Sequence, residues 1–145
     1  MTTRYLVDNN ALIALKRDRV ASDFFRDKCQ VTTDVLFEAA EHPHFTRLKM
    51  GAYPLTPSVL EQIRAVMATV QVGDTSVIDL YGNKGTADPG LVASALDAAG
   101  ASDGTLFHEE WIIVTNDKGV EHAAGQHGVG TIKPAELAAL IDEVG

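Results

Sequence analysis

Trp111-Ile112-Ile113-Val114-Thr115-Asn116-Asp117 is the stretch that decides the fold. An unbroken apolar run without polar alternation is the pattern of a strand covered on both faces in a parallel sheet, and this one stops at a Thr-Asn-Asp turn. Working outward, Tyr5-Leu6-Val7 repeats the pattern, ending abruptly at Asp8 and followed by Asn9-Asn10. Parallel strands need crossover connections, which are usually helical.

The intervening sequence supplies such helices. A first helix is expected from Ala11, then a strand over 29–32. A helix over 34–41 follows, with Thr33 as its N-cap and Pro43 as its stop. Between 56 and 70, Val59, Leu60, Ile63, Val66, Met67 and Val70 recur at helical spacing, with Thr56 as cap and Pro57 at the first helical position. A Gly- and Asn-containing loop over 81–87 leads to Asp88-Pro89, an N-cap and first-turn pair, and to an apolar stripe of Leu91, Val92, Ala95, Leu96 and Ala99. Beyond Asp117 come a short helix over 120–124, a strand over 128–132 and a helix from Pro134 carrying Leu137, Leu140 and Ile141. Alternating strands and helices predict an α/β fold: three α/β/α layers around a mainly parallel sheet of about four to five strands.

The chain has 145 residues, a length that suits a single domain over 1–145, and no repeat or low-complexity linker divides it. Asp and Glu number 20 against 12 Lys and Arg, a net charge of −8, which argues against one broad basic face for nucleic acid. If phosphates are bound, something else must supply positive charge. The lone Cys29 excludes an intrachain disulfide and a multi-cysteine zinc site, and suits a reducing compartment. With no apolar stretch near the roughly 20 residues of a membrane span and no secretory signal pattern at the start, no membrane role and a cytoplasmic address are expected.

In open parallel sheets, ligands bind outside the carboxyl ends of the strands. Asp8 and Asp117 should both emerge there, and Asp88 should open towards the same edge. Each also has a structural reading, as a turn residue or a helix cap. Carboxylates converging at one edge repel one another, however, and a bound cation resolves that conflict. On the 34–41 helix, Glu38 lies roughly 130° and Glu41 roughly 170° from the centre of the apolar face, so Glu38 can reach over the rim of the core while Glu41 faces water. Asp34, Glu109 and Glu110 read as solvated, and Asp74, Asp79, Asp97 and Asp103 as surface or turn residues. Oxygen-only donors suit Mg²⁺, or Mn²⁺ in its place. Such an ion lowers the pKa of a bound water and stabilises a leaving oxygen, so the implied chemistry is phosphate-ester hydrolysis.

Three segments, 6–13, 87–96 and 113–119, resemble in order the motifs of the PIN-domain ribonucleases, VapC-type toxins included: a strand ending in Asp-x-Asn, an Asp opening an alanine-rich helix, and a strand followed by Thr-x-Asp. The resemblance implies a PIN-like fold and metal-holding, catalytic acids at Asp8, Asp88 and Asp117. The fourth falls at Glu38, with Glu41 as its rival. It also implies a hydroxyl beside the site at Thr115 that orients a carboxylate or water, with Asn10 and Asn116 in supporting or structural roles. Lys84 and Lys118 could touch substrate phosphates or be ordinary solvated lysines. The activity implied is that of a Mg²⁺-dependent endoribonuclease acting on RNA. A toxin role, a small antitoxin partner and a homodimer are implied as well. Segment 41–57, with His42, His44, Arg47, Lys49, Tyr53 and Pro54, matches no family motif, and its His-Pro-His run reads as a soft-metal pair or as surface histidines. Two alternatives stand beside the nuclease: a catalytically inactive PIN-like binding module, and a phosphoacceptor or phosphatase domain using Asp8. Against the latter, Asn10 stands where a haloacid-dehalogenase-like phosphatase would carry an acid.

Overall fold

The computed structural model describes residues 2–68, 87–102 and 108–144, with the side chains of 87–89 and 102 outside that set. Within it, β1 (Thr2–Val7), β2 (Cys29–Gln30), β3 (Glu109–Val114) and β4 (Gly130–Ile132) form one all-parallel sheet in the order β2-β1-β3-β4. The two apolar runs that open the sequence reading are its central pair, in register from Thr2↔Glu109 to Val7↔Val114. Leu6, Val7, Ile113 and Val114 are fully buried, as a strand covered on both faces requires. Helices α1 (Asn9–Val20), α2 (Asp23–Lys28), α3 (Thr33–Glu38), α4 (Phe45–Met50), α5 (Pro57–Ala68), α6 (Ala87–Ser102), α7 (Lys118–Gln126) and α8 (Pro134–Val144) flank the sheet. The fold is the expected three-layer α/β/α arrangement, with four strands among the described residues. No helix among them is long and apolar enough to cross a membrane.

Helix α6 carries the expected stripe of Leu91, Val92 and Ala95 inward, but Ala93, Ser94 and Ala98 are buried too. Its small residues let it pack closely against β3, α5 and α7 at once. Helix α5 starts as the sequence predicts, Thr56 Oγ1 accepting from the Val59 N–H at 3.2 Å with Pro57 at the first helical position. Only Val59 and Val66 of its stripe are fully buried, while Leu60 and Met67 are exposed. Val70 and the 81–86 part of the predicted loop lie outside the described residues.

Helix α1 begins at Asn9, two residues before the expected Ala11, because Asp8 caps it. Lys16, at φ 68° and ψ 166°, interrupts it in a region of backbone space that suits glycine, a strain of about 1–3 kcal/mol. The predicted 34–41 helix is shorter and capped differently. Thr32, not Thr33, is the N-cap, its Oγ1 accepting from the Val35 N–H at 3.2 Å. At the other end the Ala39 N–H bonds both Val35 and Leu36 carbonyls, and the helix stops at Glu38. Pro43 disfavours helical geometry at His42, so Glu41 sits in a turn. The strand expected over 29–32 is correspondingly reduced to Cys29–Gln30.

Two six-residue helices carry no sequence expectation. Ser22 caps α2 and buries Phe25, and α4, inside the unmatched 41–57 segment, buries Leu48. The segment then returns to the sheet edge, the Tyr53 N–H donating to the Val31 carbonyl at 2.7 Å in a parallel bridge between Thr32 and Tyr53. Tyr53 stands edge-on to Trp111, with ring centroids 5.7 Å apart, and its hydroxyl donates to Asp97 at 2.7 Å; Ser58 donates to the other Asp97 oxygen. Asp97 is therefore a clasp between this segment and α6 rather than the plain surface residue expected.

Candidate functional site

The β1–β3 register carries on past the last paired residues. The Asp8 N–H donates to the Val114 carbonyl at 3.2 Å, which sets Asp8 beside Thr115 at the carboxyl ends of the two central strands. Both side chains are buried, Asp8 8% exposed and Thr115 0%. The Thr115 hydroxyl donates to Asp8 Oδ2 and accepts from the Asp117 N–H at 3.0 Å, so one residue ties the two acid positions together. Asp8 Oδ1 accepts from the Ala11 N–H at 2.7 Å, and Asp117 Oδ1 accepts from the Gly119 and Val120 N–H groups at 2.8 and 3.2 Å. Each acid is thus the N-cap of the helix that follows it, and the capping and convergence readings hold together at the same residues.

Burial pushes the Asp8 carboxyl above its ordinary range, and the charge of Asp117 adds to the rise; the bonds from Thr115 and Ala11 oppose it. Asp117 is half-buried, and its Oδ2 makes no hydrogen bond to any of the described residues. The edge therefore holds two carboxylates of like charge, one oxygen of each fixed by backbone N–H groups.

The other predicted residues stand as follows. Helix α6 starts at Ala87, which makes Asp88 its second residue rather than its cap; the Asp88 side chain and all of Lys84 lie outside the described residues. Glu38 is the exposed last residue of α3, and Glu41 is exposed beyond it. Asn10 and Asn116 are exposed in the first turn of α1 and in the turn before α7, and Lys118 is exposed at the start of α7. Among the described residues, no three His, Cys, Asp or Glu side chains stand close enough to hold a metal ion. The rings of His42 and His44 stand 6.0 Å apart, and the His44 backbone N–H donates to His42 Nδ1 at 3.0 Å.

Asp34 is what the sequence reading missed. Expected in solvent, it is half-buried, and burial raises its pKa. Its Oδ2 lies 3.0 Å from where a Cβ on Gly90 would sit, against the first turns of α6 and two residues from Asp88. Among the described residues, no hydrogen bond or ion pair engages its carboxylate. Asp34 and Glu38, four apart, share a face of α3. A signal was present: glycine inside a helix costs about 1 kcal/mol relative to alanine, so Gly90 marks a close approach by another group.

No protein-family model matches the chain, and no curated protein does either. Among solved structures, the chain is similar to one described as the crystal structure of PAE2754 from Pyrobaculum aerophilum, with a TM-score of 0.54, 19% identity and 99% of each chain covered. At that identity the likeness concerns the fold, and it extends over the whole chain.

Proposed function

We propose that the chain is a divalent-metal-dependent endoribonuclease of the PIN-domain type, acting in the cytoplasm on RNA phosphodiester bonds. The observation that carries the reading is the Asp8–Thr115–Asp117 constellation, two carboxylates drawn together at the strand ends of a parallel sheet. The donors fit a hard cation in kind: all are oxygens, Asp117 Oδ2 is open, and mutual repulsion raises the affinity of the pair for positive charge. Asp8 and Asp117 would hold Mg²⁺ or Mn²⁺ together with Asp88 and an acid of α3, either Glu38 or the better-buried Asp34.

When bound, the ion lowers the pKa of a water and stabilises charge on the leaving oxygen. The chain's own residues do the positioning. Thr115 fixes the Asp8 carboxylate with its hydroxyl and restrains the Asp117 backbone, so neither acid needs to reorganise when RNA arrives. Lys118, next to Asp117 and exposed, would contact a substrate phosphate oxygen. With net charge −8, RNA affinity without metal is weak, because neutralising phosphates depends on the ion rather than on a basic face. A toxin role, a small antitoxin partner and a homodimer belong to the same proposal and rest on the motif resemblance.

The test is cleavage of an unstructured RNA with Mn²⁺, with EDTA and with Asp8→Asn. Cleavage should require metal and fall by roughly 100-fold or more in the variant, as removal of a group that stabilises the transition state does. A wild-type protein that cuts no RNA with either ion while binding a protein partner tightly would make it a binding module instead. An aspartyl-phosphate on Asp8 after acetyl phosphate treatment would make it a phosphoacceptor.

A further inference from the structure

Where α2, β2 and α4 meet at the sheet edge, the fold forms a half-open cavity of about 450 Å³ with exposed Met50 in its lining, away from the Asp8–Asp117 edge. Its floor is apolar and buried, made by Val20, Phe25, Cys29, Val31 and Leu48. Burial pushes the Cys29 thiol up to about 12, so it stays neutral and the floor carries no charge. Two guanidinium groups reach the lining, and they differ. Arg26 is satisfied on its own helix by Asp23 and Asp27. Arg47 is half-buried and its side chain donates to the Ala21 carbonyl at 2.8 Å; among the described residues no carboxylate pairs with it. In a protein with 20 acidic residues and 12 basic ones, a half-buried cation at an apolar cavity has no counter-ion among the described residues.

Buried charge is costly unless paired, and a guanidinium offers a planar fork of donors that matches a carboxylate. The volume falls in the range of small-molecule pockets, about 300–1,000 Å³. We infer that this cavity binds a medium-chain carboxylate, its hydrocarbon on the Val20–Phe25–Leu48 floor and its head group on Arg47. The site uses none of the acids of the proposed nuclease and stands or falls independently of them.

Calorimetric titration of the full chain with decanoate, below its micelle concentration, tests this. Decanoate should saturate one site. Decan-1-ol should bind roughly tenfold more weakly and decyltrimethylammonium more weakly still, as loss and reversal of one charge contact imply. Arg47→Gln should lower decanoate affinity to that of the alcohol, and Arg47→Lys should restore part of it. Gly51→Leu should weaken binding of both probes; Gly51 lines the cavity at φ −103°, and none of the described residues lies within 4 Å of an added Cβ, so the backbone accepts a side chain there. If Arg47→Gln does not fold, the head-group order in the wild type decides. Absence of saturable binding, equal affinity for decanoate and decan-1-ol, or tighter binding of decyl phosphate than of decanoate would overturn the assignment. So would a wild-type dimer, measured by sedimentation, that Gly51→Leu dissociates and decanoate leaves intact.

Discussion

Asp8 and Asp34 are both carboxylates withdrawn from water, and both have raised pKa values for that reason first, yet the chain treats them in opposite ways. At the β1/β3 edge, Asp8 is held from two sides, by Thr115 and by the Ala11 N–H. Where α3 meets α6, Asp34 lies against Gly90 with no donor among the described residues. The difference separates pre-organisation from availability. An acid fixed by backbone donors keeps its geometry whatever binds, whereas an unpartnered acid in partial burial is destabilised until something pairs with it.

Cutting the tie at the fixed end gives the largest effect. Thr115→Val keeps the volume and removes the hydroxyl that both Asp8 and Asp117 use, so it should lower Mn²⁺ affinity and RNA cleavage roughly 10–100-fold. It should also cost about 1–3 kcal/mol of stability in urea unfolding, the penalty for a buried acceptor left unsatisfied. A Thr115→Val chain as stable as the wild type would show that Asp8 is held by its helix cap alone.

Next is the charge on Asp8. A carboxyl whose pKa is raised in the folded chain binds more protons folded than unfolded between the ordinary carboxylate range and the raised value, so stability falls as pH rises through that window. Asp8→Asn removes this dependence and the repulsion from Asp117. Without metal, the melting temperature of the variant should exceed that of the wild type by an amount that grows with pH, to roughly 2–4 °C. Added Mn²⁺ should reverse the order by stabilising the wild type alone. A melting-temperature difference that does not vary with pH would mean that Asp8 is not ionising in that window.

The smallest effect probes the unpartnered end. Gly90→Ala should gain about 1 kcal/mol from helix propensity, but the new methyl would stand 3.0 Å from Asp34 Oδ2. The single variant is therefore expected within about 0.5 kcal/mol of the wild type, and Asp34→Ala should release the withheld gain in a double-mutant cycle. If Gly90→Ala delivers the whole gain alone, Asp34 moves aside freely and α3 does not hold it against α6.

How legible all this was in the sequence depends on the range of the interactions involved. The central strands were readable because burial on both faces leaves an unbroken apolar run, and the start of α5 because Thr56-Pro57 is a local signal. Asp8, Thr115 and Asp117 were readable as a group because each ends a legible strand or opens the turn after it. Helices α2 and α4 were not, since six residues are too few for a period of 3.6 to show. The cap of α3 moved by one residue because Thr32 and Thr33 are chemically equal and only the path of β2 chooses between them. Asp34 was misplaced because the helix it lies against, at Gly90, is 56 positions away by residue number (90 − 34) and invisible to any helical wheel. The same limit applies to Asp97, whose donors lie 44 and 39 positions away, Tyr53 in a segment without a recognisable pattern and Ser58 in the first turn of α5.

The lengths of the strands have a consequence of their own. The two central strands have six residues each, but the outer ones have two and three, and the bridge through Tyr53 occupies part of the β2 side. A sheet whose margins are this short offers few free peptide groups as a template for another chain. The most strongly apolar segments, 5–7 and 111–114, are sealed between neighbours on both sides. Among the described residues, the sheet is thereby guarded against templating a fibril, and separating β1 from β3 would remove that guard.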